Sequence, residues 1–167
     1  RNFLLLLAVA AITSLPVTQI AAQWCAPPTD NLYTTGCTDN DLIESFSTTG
    51  GSTNITNNGT GCSNTTTGYT FFNTQTHTGI QGTTVNFSYT NHLVATWPEG
   101  YKIWVDWNQD GLFNSTDELV YNPSTTTPAA AIVNGSFNIP ITATPGLTRL
   151  RVRCVYNTTA FDACGEV

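Results

Sequence analysis

Residues 100–122 read GYKIWVDWNQDGLFNSTDELVYN. Tyr101, Ile103, Val105 and Trp107 fall at every second position, the spacing that lines one face of a β-strand. Residues 118–122 continue as a second short strand after a polar interval. Within that interval Asp106, Asn108 and Asp110 stand two apart and are followed by Gly111. This is the opening of the calcium loop D-x-[DN]-x-[DN]-G. Oxygen-bearing side chains at alternate positions turn toward one centre as the chain coils, and glycine permits the sharp turn that closes the coil. By loop position, Leu112 offers its carbonyl, position 12 falls on Asp117, and Glu118 follows. Either acid is suited to close the shell.

The expected ligand set is therefore Asp106, Asn108, Asp110, Leu112 and Asp117 or Glu118, and the expected ion is Ca2+. Calcium takes six to eight oxygens in loose geometry, which this set suits better than it suits magnesium or zinc. In calcium-sensor hairpins such a loop lies between helices, whereas here both flanks read as strands. The competing reading is a plain hairpin turn, since Asn, Asp and Gly are ordinary turn formers. A turn alone, however, requires neither the strict spacing nor the downstream acid pair.

Working outward, strand-like runs recur at 41–46, 69–74, 84–91, 131–139 and 147–156. Val85, Phe87 and Tyr89 share one face of their run, and Leu150, Val152, Cys154 and Tyr156 share one face of theirs. Arg149, Arg151 and Arg153 occupy the opposite face of the last run. Residues 47–68 are a Gly, Ser, Thr and Asn tract without period, read as a long surface loop. Asn134-Gly135 and Pro145-Gly146 punctuate the later strands. Short alternating strands, turn pairs and no helical period predict an all-β fold: an antiparallel β-sandwich, jelly-roll-like, with a calcium loop between two strands. Its core is expected from Val85, Phe87, Ile103, Val105, Leu150, Val152 and Tyr156.

Composition narrows the function classes. Charged residues make up 10% of the 167, with five Lys and Arg and a net charge of −6, so there is no basic stripe for nucleic acid. Residues 1–22 read as a signal peptide, with the apolar run FLLLLAVAAI at 3–12 and small residues before Gln23. No stretch after it reaches membrane length, so the mature chain, 23–167, is expected to have no membrane span and to be secreted or held at the cell surface. Trp24 directly before Cys25 argues against a lipid anchor. Of the five cysteines, Cys154 lies on an apolar strand face and is the expected free thiol. Cys25, Cys37, Cys62 and Cys164 then supply two bridges. Three pairings are open, and Cys25–Cys37 with Cys62–Cys164 is preferred for its short spacing. The absence of any CxxC pair argues against zinc held by these thiols.

Other chemistry is thin. His77 and His92 read as isolated, Ser88 and Ser136 lie outside any nucleophile elbow, and Asp39, Asp41 and Glu44 read as a solvated cluster. Of the aromatic group, Tyr101 and Trp107 read as core, while Trp97 and Trp104 are the candidates for an exposed sugar-stacking surface. Seven Asn-x-Ser/Thr sequons begin at Asn54, Asn58, Asn64, Asn86, Asn114, Asn134 and Asn157, glycosylated only in a host that modifies them. No constellation supports an enzyme.

The motif IWVDWNQDGLF with Glu118-Leu119-Val120, the segment IPITATPGLTRLRVR, and Cys164-Gly165-Glu166-Val167 together resemble the GEVED domain, a module of secreted and surface bacterial proteins. Cys25, residues 37–43 and Gly61-Cys62 look like further landmarks of that family. Two departures stand out. The Glu-Asp-Tyr that normally follows Gly-Glu-Val is missing, which implies truncation and a missing final strand, and Cys154 replaces the family's usual residue. The resemblance implies a non-catalytic β-sandwich module of a larger multidomain protein, adhesion-type, with glycans or other surface proteins as partners. The alternative it leaves open is an accessory, carbohydrate-binding domain of a secreted protease or glycosidase.

Overall fold

A computed structural model describes residues 39–62, 68–93 and 97–164. The expected signal segment, Cys25, Cys37 and Gly165–Val167 lie outside the described residues. Among the described residues seven strands run in the order β1 (Ile43–Thr49), β2 (Thr56–Asn57), β3 (Thr84–Asn91), β4 (Glu99–Val105), β5 (Leu119–Tyr121), β6 (Ile132–Asn138) and β7 (Leu150–Tyr156). They form two antiparallel sheets, of order β2-β1-β3-β6 and β5-β4-β7. No helix among the described residues is long and apolar enough to cross a membrane.

The expected all-β sandwich is the observed architecture. Phe46, Val85, Phe87, Tyr89 and Phe137 of the larger sheet face Tyr101, Ile103 and Val105 of the smaller one, and all are buried. The Tyr89 and Tyr101 rings stack at 4.1 Å between centroids, and Phe87 meets Tyr121 edge-on at 4.9 Å. Leu150, Val152 and Cys154 pack against this core from β7, as the alternation predicts. Burying each large apolar side chain here stabilises the fold by roughly 1.5–3 kcal/mol before entropy is counted.

Tyr156, expected in the core, is 47% exposed. It pairs with Glu99 on the last rung of the β4–β7 ladder and meets Trp97 edge-on at 5.8 Å. The predicted loop at 47–68 is also corrected: β1 runs on to Thr49, and β2 pairs with it. Conversely, the predicted strand at 69–74 is absent. Its rings have another task, because Phe71 lies 3.9 Å from the Arg149 guanidinium and Tyr69 lies 5.3 Å from that of Arg151.

Those contacts belong to a second apolar layer on the outer face of the smaller sheet. Trp104, proposed from sequence as an exposed ring, is completely buried there with Phe113, Phe161 and Ala163. The tail after β7 folds back over the sheet to cover it. Arg151 donates to the Ala163 carbonyl at 2.7 Å, and its guanidinium stands 4.8 Å from the Phe113 ring. Lys102 donates to the Phe161 carbonyl at 2.8 Å while lying over that ring. The outward arginines thus act as apolar stems with cationic heads stacked on aromatic faces. Cys154 is a free thiol.

Candidate functional site

The loop 106–118 joins β4 to β5, two neighbouring antiparallel strands, so its ends are held together by the ladder. The Val105 amide donates to the Glu118 carbonyl at 2.9 Å, and the Asp106 amide to the Arg149 carbonyl at 3.0 Å. Thr148 donates its hydroxyl to the Asp106 carbonyl. On the far side, the Thr144 amide donates to the Trp107 carbonyl at 2.8 Å, and the Gln109 side chain donates to the Thr144 carbonyl at 3.0 Å. Phe113, sunk into the outer apolar layer, anchors the middle of the loop.

Inside this frame the chain turns sharply. Gln109 and Gly111 take φ of 61° and 82°, which turns the chain back on itself. Asp106 is wholly buried, and its Oδ2 accepts the Gly111 amide at 3.1 Å. Asn108 Oδ1 accepts the Asp110 amide at 2.9 Å, and Asp110 Oδ1 accepts the Leu112 amide at 2.8 Å. Asn108 Nδ2 donates to Asp110 Oδ2 at 2.9 Å. Asn108, Asp110 and Leu112 are exposed at the rim.

The two candidate closing acids separate cleanly. Asp117 is exposed; its amide and that of Thr116 donate to Asn114 Oδ1. Glu118 is 1% exposed and turned inward. Its Oε2 accepts the Asn114 amide at 3.0 Å, whereas Oε1 is buried with no hydrogen-bond partner. Burial raises its pKa above the usual carboxylate value. The nearby charges of Asp106 and Asp110 add to the rise, while amide bonds from Asn114 and Asn108 oppose it. A buried carboxylate oxygen without a donor, beside two further carboxylates, is the electrostatic condition a bound cation relieves. The donor set is all oxygen, so the residues fit calcium.

Sequence reasoning missed a second group. A ring nitrogen of His92 and one carboxylate oxygen each from Asp41 and Glu99 lie within 4.8 Å of one another. It is the one such grouping of three found among the described residues. His92, read from sequence as isolated, is 1% exposed. Asp41 lies some 50 residues before the other two, and His92 and Glu99 stand seven apart at the ends of strands in different sheets, so no ligand spacing revealed them. His77 stands elsewhere, bonded through Nδ1 to the Thr48 hydroxyl at 2.9 Å.

A β-sandwich with an acidic, oxygen-rich turn at one strand junction defines the class: an all-β module. The family model described as the GEVED domain matches residues 100–167, which span β4, the acidic loop and everything after it. Over those residues the chain is similar to the GEVED domain, whose family is in general one of non-enzymatic modules associated with larger, extracellular bacterial proteins. Neither a curated protein nor a solved structure matches the chain.

Proposed function

We propose that the chain is a calcium-stabilised extracellular binding or structural module, of adhesion type, within a larger secreted or cell-surface protein. The observation that carries this reading is Glu118, buried at the end of the acidic loop with Oε1 unpartnered and two carboxylates nearby. Calcium bound by Asp106, Asn108, Asp110, the Leu112 carbonyl and Glu118 would neutralise that cluster and tie β4 to β5. A ligand that binds only the native state adds its binding free energy to folding. Asp110→Ala tests the reading: it should remove the rise in melting temperature that calcium gives wild type, with the fold retained because Asp110 is exposed. An unchanged calcium response in this variant would overturn it.

A second reading, the accessory domain of a secreted hydrolase, has one observation in its favour. Trp97 and Tyr156, both about half exposed, line an open cleft with Asp39 and Asp41. Exposed rings beside carboxylates are suited to stacking and hydrogen-bonding a sugar. Glycan-array binding that disappears in Trp97→Ala would favour this reading, and an array without hits would count against it.

A further inference from the structure

We propose that Asp41, His92 and Glu99 form a second cation site, distinct from the acidic loop, that takes a divalent transition ion of the zinc type. The elements bring Asp41 to His92 and Glu99, which stand at the two ends of the connection between β3 and β4. Glu99 opens β4, and its backbone is clamped by two bonds to Thr127, at 2.9 and 2.7 Å. His92 directly follows β3, and its amide donates to the Asn91 side chain at 2.9 Å. The same Asn91 side chain donates to the carbonyls of Thr127 and Pro128 and accepts from the Tyr101 hydroxyl. Asp41 comes from the segment leading into β1. Two of the three anchoring points are therefore fixed by one hydrogen-bonded network.

Burial makes the group more than an acidic cluster. Glu99 is 0% exposed, and neither of its carboxylate oxygens has a hydrogen-bond partner. Asp41 Oδ1 is also buried and unpartnered. Burial first, and the Asp41 charge second, push the Glu99 carboxyl up to about 8. Two carboxyl groups this close must share either a proton or a cation. The imidazole favours the cation. His92 Nε2 lies 3.2 Å from the Trp97 carbonyl, the kind of outer-shell contact that orients a ligating histidine. One imidazole and two carboxylates match the donor preference of zinc, whereas calcium and magnesium prefer oxygen alone. Tetrahedral zinc with ligand bonds of about 2.0–2.2 Å needs donors roughly 3.4 Å apart, and the present ligand atoms all lie within 4.8 Å of one another. Asp41 also lines the cleft with Trp97 and Tyr156, which gives the group an approach from solvent.

The test is calorimetric titration of Zn2+ into the metal-stripped whole chain, with calcium saturating. Wild type should bind one zinc at this site, and X-ray absorption should report one imidazole nitrogen with oxygens completing the shell. Glu99→Gln and Asp41→Asn should each weaken binding on the order of 100-fold or more, while Asp110→Ala and His77→Gln leave it unchanged. Asp41 is partly exposed, so Asp41→Asn carries the test if Glu99→Gln fails to fold. Failure of wild type to bind zinc would overturn the site and leave a shared proton as the role of the pair. Wild-type affinity in a folded Glu99→Gln or Asp41→Asn variant would overturn it equally.

Discussion

Glu118→Gln separates a cation-binding acid from a merely buried one, because the substitution keeps shape and removes charge. The amide side chain still offers an oxygen to the Asn114 N–H, which the carboxylate accepts at 3.0 Å. What disappears is a negative charge buried near Asp106 and Asp110. With calcium at about 2 mM and an affinity of ~10⁻⁴ to 10⁻³ M, typical of extracellular modules, binding adds roughly 0.6–1.8 kcal/mol to wild-type stability. For a chain of this size that corresponds to a rise in melting temperature of roughly 2–8 °C. Glu118→Gln should lose most of this rise. In chelator it should melt at or above wild type, since an uncompensated buried carboxylate has been neutralised. Asp117→Asn, altering an exposed side chain, should keep the full calcium response. Differential scanning calorimetry of the three proteins, each in calcium and in chelator, decides the matter. A full calcium response in Glu118→Gln, or its loss in Asp117→Asn, would refute the assignment of Glu118 as the closing ligand.

Trp104→Ala should cost about 3–5 kcal/mol by emptying the outer apolar layer, whereas Trp97→Ala, at a half-exposed ring, should stay within about 1 kcal/mol; chemical denaturation measures both. Burial pushes the Cys154 thiol far above its ordinary pKa, so an alkylating reagent at pH 8 should leave the native chain unlabelled and add one label when the chain is unfolded without reductant. Burial also lowers the pKa of His77 below 6.5. The unfolded chain then binds the proton more readily, so the stability gained from the neutral ring is complete above pH 6.5 and declines as pH falls toward the folded-state value. Melting curves between pH 7 and pH 5 should show this loss in wild type and a shallower one in His77→Gln.

How much of this was legible depended on whether the determinants were contiguous. The run at 84–91 alternates strictly and is found as β3 with those bounds, because a strand with one buried face writes its period directly into the chain. The turn at 106–111 is likewise local, its hydrogen bonds linking residues two to five apart. Trp104 was misplaced because alternation says only that it points away from the main core. That the outer face is itself covered depends on Phe113 and Phe161, which reach it through the loop and the returning tail. Residues 69–74 look like a strand by composition, yet their aromatic rings are recruited by arginines some 80 residues further on. Asp41, His92 and Glu99 converge only once two strands and a leading segment are assembled. Sites built across sheets leave no local spacing to read.

The central claim is that the loop between β4 and β5 holds calcium. Isothermal titration of Ca2+ into the chelator-treated chain tests it most directly. The account predicts one site with an affinity of ~10⁻⁴ to 10⁻³ M or tighter, strongly weakened in Asp110→Ala and in Glu118→Gln. Absence of binding heat at millimolar calcium, together with identical melting temperatures in calcium and in chelator, would contradict it and reduce residues 106–118 to a turn.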